Sequence, residues 1–469
     1  MNTHWLSPWF KWLLPFFGIV IFAILNLSFS GMGVLGVLIN IIALLWFGAY
    51  FIWPHPKVLI GFFAVSQLLG PFVLFNFTDI DLETIGRFDF IIALFIGLII
   101  ILQKGSIDRY FLFFIFMFIL IMGWGLLLHA ESRSNYLEFF DVWFGIAGRI
   151  AIGLVLVMLV KAIINNFNGF SGQASEWVGI ILLSLFIFHI VFSYLQLLVP
   201  ITLRSNSIDS GLNLFGYNFM RPVGFLEASY VYGSNTVGFW WILNLVRGGQ
   251  NSRFLIFLII IALPVSFLGT RSIALGLVLF LILYLSGISK NLKYILLPSI
   301  IIIFLLVIPF NLIEILNTVD QSNSTKILLG YQLIFTWISD FPSYESFLGY
   351  GFDQASLLAA NNDFGILASL YEASYDNRIN NGLGFPVHNV YLQLLFEYGL
   401  FSFIAVIWLI WRGLVNILLR RIDSPTAFFW CISVTHYAVH NGIFSPLLIL
   451  PLLIVAFPER LRISHSLRS

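Results

Sequence analysis

The sequence predicts an all-α polytopic membrane protein, and three observations carry that prediction. Charged residues make up 10% of the chain, against 60% hydrophobic and 17% aromatic, and the mean hydropathy is +0.97; soluble proteins carry about 25% charged residues. Apolar runs of about 17–25 residues, the length needed to cross a bilayer, recur along the sequence. Threading these runs alternately through a membrane sorts the cations from the acids.

The runs lie near 12–30, 32–53, 58–77, 88–103, 110–129, 142–164, 177–200, 230–246, 254–270, 271–287, 293–310, 388–411, 425–443 and 445–458. A bundle of about 12–14 transmembrane helices is therefore expected. The N-terminus, MNTHWLSPWFKW, has one lysine and no small-residue cleavage site before its apolar run, so it reads as an uncleaved first span. Two stretches are too polar to span, Ile201 to Ser229 and Asn311 to Val387. They divide the chain into an N-terminal transmembrane bundle (1–200), an outer loop with further spans (201–310), a large outer loop (311–387) and C-terminal spans (388–469). The large loop carries apolar residues at helical spacing, in YQLIFTWI and SLLAANNDFGILASLYEASY. Short amphipathic helices lying over the outer membrane surface are expected there, and a loop of that length is usually functional.

With the N-terminus in the cytoplasm, lysines and arginines on the inner side outnumber those outside roughly two to one, whereas most acids fall outside. Both polar loops are then outside and the C-terminus is cytoplasmic. The outer cations are Arg87, Arg133, Arg149, Arg204, Arg221, Arg271, Lys326 and Arg378, so all but one are arginine. Arginine presents a planar fork that grips phosphate oxygens in pairs. The plainer alternative is that these arginines pair with outer acids. The net charge of +1 carries no signal for nucleic acid, and no nucleic-acid partner is expected. The single cysteine, Cys431, excludes a disulfide within the chain and a cysteine metal site.

Four stretches carry candidate chemistry. In PVHNVYLQLLFEYGLF (386–401), His388 stands at the water interface and at a helix N-terminus, where a general base has access. Asn389, Gln393 and Glu397 form a polar stripe at i, i+4 and i+8, with Glu397 about 13 Å along the axis from His388 and on the other side. That stripe reads as polar glue between helices, and Gly399 as a site of close helix approach. In FMRPVGFLEASYVYGSN (219–235), Arg221 is held by Pro222 and followed by Gly224 in the outer loop. In FLGTRSIALGLVLF (267–280), Arg271 sits where two spans meet, placed either to snorkel or to bind an anion. ESFLGYGFDQ (345–354) is a glycine-bracketed aromatic turn. Arg149, in the outer part of a span, pairs with Glu138 or Asp141 or else contacts substrate. His436 and His440, at i and i+4, lack a third ligand. Asp353, Asp363, Glu372 and Asp376 match no metal spacing, so neither a metal nor another cofactor is expected.

In this order, RPVGFLEAS, GTRSIALGL, FLGYGFDQ and HNVYLQLLFEYGL resemble the bacterial O-antigen ligase/polymerase family, over roughly residues 200–415. The resemblance implies a membrane C-type glycosyltransferase fold in the bacterial inner membrane. It implies transfer or polymerisation of glycan repeat units from undecaprenyl diphosphate, at the periplasmic face, onto an acceptor glycan or lipid. Carried over by position, Arg221 and Arg271 hold the diphosphate and His388 acts at the acceptor; Arg378, another outer arginine, is a further candidate for the diphosphate. Asn389, Glu397 and Arg149 support them. Glu227–Ala228, where many members have Asn–Pro, and the extra spans favour polymerase over ligase. A transporter or flippase for a small anion or lipid-linked sugar is the alternative; it would gather its charges near the midplane.

Overall fold

The computed structural model describes residues 173–199, 211–224, 229–247, 252–286, 333–351, 389–440 and 446–458, less a few positions within them, and isolated residues at 57–64 and 157–160. The spans expected near 12–30, 32–53, 88–103, 110–129 and 293–310 lie outside the described residues, as do nearly all of 58–77 and 142–164. Arg149, Arg271, Arg378 and His388 also lie outside them.

Among the described residues the protein is mostly helical. The main helices are α1 (Gln173–Leu198), α2 (Ser229–Arg247), α3 (Ser252–Gly269), α4 (Ser272–Ser286), the short α5 (Tyr344–Leu348), α6 (Val390–Leu418), α7 (Ser424–Tyr437) and α8 (Pro446–Ala456). A further helical stretch covers residues 333–339. One element departs from an all-α chain. Gly211–Leu214 (β1) and Tyr217–Met220 (β2) pair antiparallel, Gly211 opposite Met220, inside the first polar loop.

α1 and α2, α2 and α3, and α4 and α7 pair antiparallel, as the side-chain contacts show. Tyr232 on α2 meets Ser193 on α1 near one end, while Gly179 faces Arg247 near the other. Gly233 meets Thr270 beyond the end of α3, and Trp240 bonds the carbonyl of Leu255. On α4 and α7, Ser272 pairs with His436 and Gly276 lies against Ile432. These pairings define an upper end (Gln196, Gly233, Gly269, Ser272, Val390 and His436) and a lower end (Arg247, Ser252, Leu418 and Ser424).

α2 and α7 are central, and among their described side chains no large apolar one is exposed. Trp241 stacks on Phe429 with centroids 5.1 Å apart, and its indole N–H donates to Thr426 Oγ1 at 2.9 Å. The core joins these helices to α1, α3, α4, α6 and α8 and extends to Val58, Ile60 and Val160. The peripheral helices are apolar on their exposed faces too. α1 exposes Ile180, Phe188, Val191 and Leu195, α3 exposes Phe257 and Ile260, and α6 exposes Phe401, Ile404 and Trp408. A helix facing water carries polar residues on that face; one that is apolar all round suits a lipid or fully buried setting. α1, over Trp177–Leu198, and α6 are long and apolar enough to cross a membrane.

α6 runs farther than the expected 388–411. Arg412 does not stop it, because the guanidinium lies over the rings of Trp408 and Phe457, 5.4 and 4.7 Å from their centroids. Asn416 also continues inside, donating to the carbonyls of Val455 and Ala456 at 2.9 and 3.2 Å. α7 is shorter than the expected 425–443, closing in a turn after Tyr437.

Candidate functional site at the upper end

The Arg221 turn follows β2 directly. Arg221 is half-buried and Pro222 is buried. Gly224 takes a φ of 57°, in the left-handed region that an L side chain rarely occupies. Gln196, on the last turn of α1, clamps this glycine from both sides. Its Oε1 accepts from Gly224 N–H at 2.8 Å and its amide donates to Gly224 C=O at 3.4 Å. Beneath the turn lies a buried polar network. Tyr232 donates to Ser193 Oγ at 2.7 Å, and Ser193 donates to the carbonyl of His189 at 2.6 Å. Thr236 spends its proton on the carbonyl of Tyr232 at 2.7 Å. It can therefore only accept from His189, so the ring donates through Nε2, 3.1 Å away. The His189 and Tyr232 rings stack with centroids 4.9 Å apart.

The same turn rests on the connection between α3 and α4, where the sequence places Arg271. A Cβ added at Gly269 would lie 2.9 Å from the carbonyl oxygen of Pro222. Across from it, Gly233 N–H donates to Thr270 Oγ1 at 3.0 Å, and Gly233 leaves room for Ile273. The two arginine-bearing stretches thus meet through the residues flanking each arginine. Ser272, immediately after Arg271, shares a 2.9 Å hydrogen bond with His436 Nδ1. Tyr391, three residues after His388, donates to the carbonyl of Val434 at 2.9 Å. Two of the motif stretches therefore attach to a single turn of α7, residues 434–436.

Asn389 has a local duty. Its Oδ1 accepts from the N–H groups of Tyr391 and Leu392, at 3.0 and 3.1 Å, and caps α6. Within the polar stripe, Gln393 donates to Glu397 Oε2 at 3.1 Å, inside α6. Glu397 is fully buried.

Gly399 is a point of close approach, as expected, but what approaches is Phe347 of the short α5 and the residues after it rather than another long helix. It has φ 76° and ψ 178°, and α6 breaks there. The FLGYG stretch of the large loop fills the break. Tyr350 N–H donates to Phe396 C=O at 2.9 Å and Gly351 N–H to Glu397 C=O at 3.1 Å. A Cβ at Gly399 would sit 2.2 Å from Phe347 O, and one at Gly349 would sit 2.1 Å from Glu397 O. Tyr350 stacks on Phe396 with centroids 4.3 Å apart and donates to Asp340. Burial, with the neighbouring Asp340 carboxylate second, pushes the Tyr350 phenol up and keeps it a donor. Third and fourth motif stretches are therefore joined main chain to main chain.

His436 and His440 stack with centroids 4.3 Å apart. Among the described residues no group of three or more His, Cys, Asp or Glu is arranged to hold a metal ion. The sequence reading missed His189, Ser193 and Gln196; their signal was a polar stripe at i, i+4 and i+7 in an otherwise apolar helix. No family model matches the chain, and no curated protein or solved structure is detectably similar to it.

Proposed function

We propose that this protein is an inner-membrane glycosyltransferase that transfers or polymerises glycan repeat units from undecaprenyl diphosphate at the periplasmic face, as a polymerase rather than a ligase. The observation that carries this reading is the contact between the Arg221 turn and the α3–α4 connection, Pro222 O against Gly269 at the upper end. Described lower-end cations are numerous, Arg247, Arg253, Arg420 and Arg421, which suits a cytoplasmic lower end and an outer upper end. In this mechanism Arg221, Arg271 and Arg378 grip the diphosphate. Cleavage at the anomeric carbon moves an electron pair onto the leaving diphosphate oxygen, and preorganised guanidinium groups stabilise that charge. His388 takes the proton of the attacking hydroxyl. A single displacement inverts the anomeric configuration. Losing one arginine costs on the order of 3–4 kcal/mol of barrier.

The break in α6 favours a second reading, transport of a small anion or lipid-linked sugar, since transporters bind at interrupted helices. Its level weighs against that reading. Residues 400–418 after the break rise about 28 Å, nearly the ~30 Å of the hydrocarbon core. The break then falls at the membrane boundary rather than the midplane.

The test is deletion of the gene with analysis of surface polysaccharide. Accumulated single-repeat glycan supports a polymerase, complete chains stranded on the lipid carrier support a ligase, and unchanged glycan overturns both. In the deletion strain, His388→Ala expressed at normal level should fail to restore chain extension; restored extension removes His388 as the base.

A further inference from the structure

Residues 333–348 leave an apolar face uncovered. The helical stretch 333–339 turns Leu333 and the half-buried Trp337 inward, and the Trp337 indole donates to Ser346 C=O at 2.9 Å. Outward it presents Phe335 and Ile338, 65% and 55% exposed, with Phe341, Tyr344 and Leu348 beyond them. α5 is a single turn fixed by a capping box between Ser343 and Ser346. A chain of ring contacts leads from here to α6: Trp337 to Phe341 at 5.5 Å, Phe341 to Phe347 at 5.4 Å and Phe347 to Phe401 at 5.8 Å. Phe401 begins the exposed apolar stripe of α6, which continues through Ile404, Ile407, Trp408 and Trp411. Before the break, Val390, Tyr391, Leu394, Leu395 and Phe396 are buried. The outward face of 333–348 therefore adjoins the place where α6 first exposes apolar side chains.

We propose that residues 333–348 are an interfacial anchor whose Phe335, Ile338 and Tyr344 insert into the lipid leaflet at the upper end of α6. Lipid is the occupant that this continuity selects: a surface joined to the stripe of a membrane-length helix meets the same medium. The Tyr344 ring with its hydroxyl suits the headgroup level, and the wholly apolar Phe335 and Ile338 suit the acyl boundary beneath it. FLGYG then ties the anchored segment to the break in α6, so that leaflet contact sets the position of Glu397 C=O and its neighbours. This inference rests on the membrane reading of α6 and not on glycosyl transfer.

The chain has one cysteine, Cys431, which is buried. In a Cys431→Ala background, single substitutions Phe335→Cys, Ile338→Cys and Tyr344→Cys carry a nitroxide label in phosphatidylcholine–phosphatidylglycerol vesicles. Collision with oxygen, which concentrates in lipid, is compared with collision with a water-soluble nickel chelate. Ile404→Cys is the lipid reference and Ser424→Cys, exposed at the start of α7, the aqueous one. The proposal expects all three labels to favour oxygen, as at position 404. Labels that favour nickel, as at 424, overturn it, and so do labels shielded from both, which would place protein over this face. Where Cys431→Ala does not fold, labelling proceeds with the buried native thiol in place. Because no arm depends on activity, a lipid-seated segment in a protein lacking transferase activity overturns only the catalytic reading.

Discussion

The Arg221 turn and the break in α6 each depend on a glycine with positive φ, Gly224 at 57° and Gly399 at 76°, yet different atoms press on the two. Around Gly224 they are side-chain atoms: an added Cβ would meet His189 Cε1 at 2.3 Å and Tyr232 Cε2 at 2.8 Å. Around Gly399 they are main-chain atoms, Phe347 O at 2.2 Å and Gly349 N at 2.5 Å. Side chains can change rotamer, but a carbonyl fixed in a docked backbone cannot retreat unless the whole segment leaves. The first region is therefore adjustable, and its geometry is set by which side chains α1 and α2 supply. The second is a key in a lock, either engaged or not.

Gly399→Ala is the largest expected effect and the most direct way to break this contrast. Backbone strain and overpacking together cost on the order of 3 kcal/mol or more, and the cheapest relief is expulsion of the FLGYG stretch. A purified variant should melt at lower temperature, and a cysteine at Leu348 should become more reactive toward a water-soluble maleimide. Equal melting and equal reactivity would show that the break tolerates a side chain. Phe347→Ala should not rescue Gly399→Ala, because the clash is with the carbonyl of residue 347, which remains.

Gly224→Ala should cost less, about 2 kcal/mol, and should be partly rescuable. Adding His189→Ala removes the nearest atoms, so the double variant should recover on the order of 1 kcal/mol of coupling in thermal unfolding. Absence of coupling would mean that the φ of Gly224, rather than His189, sets the cost. Gln196→Leu isolates the clamp. It strips the acceptor from the buried Gly224 N–H, at a cost of about 1–3 kcal/mol, whereas Gln196→Glu keeps an acceptor and should lose less.

The contrast also explains what was legible in the sequence. Helix positions were, since apolar runs report them locally: α1 to α4 start and stop within a few residues of their expected bounds. The end of α6 was not. An arginine in an apolar run reads as a stop signal, and only the distant Phe457 ring and the α8 carbonyls make Arg412 and Asn416 acceptable inside. The meeting of the four motif stretches at one end was legible in part, through their common side in an alternating topology; His388, Arg271, Arg378 and Arg149 lie outside the described residues. The break at Gly399 was illegible for a physical reason. Its partner is a main-chain segment some fifty residues earlier, and backbone hydrogen bonds carry no side-chain signature. The network under Gly224 was readable in principle, because His189, Ser193 and Gln196 share one face of α1.

Asn389→Ala should have the smallest effect, and it sharpens the distinction between support and chemistry next to His388. The Asn389 Oδ1 satisfies two N–H groups at the start of α6, and loss of such a cap costs about 1 kcal/mol. Asn389→Asp keeps the oxygen and adds negative charge at a helix N-terminus, which the helix dipole favours, so its melting temperature should match or exceed that of the parent. The two substitutions separate a capping role from a substrate contact. If Asn389 only caps, chain extension in the deletion strain should follow stability, reduced in Asn389→Ala and normal in Asn389→Asp. If extension fails in Asn389→Asp while the protein melts normally, the amide N–H₂ is needed for something a cap does not do, and the neighbour of His388 joins the site itself.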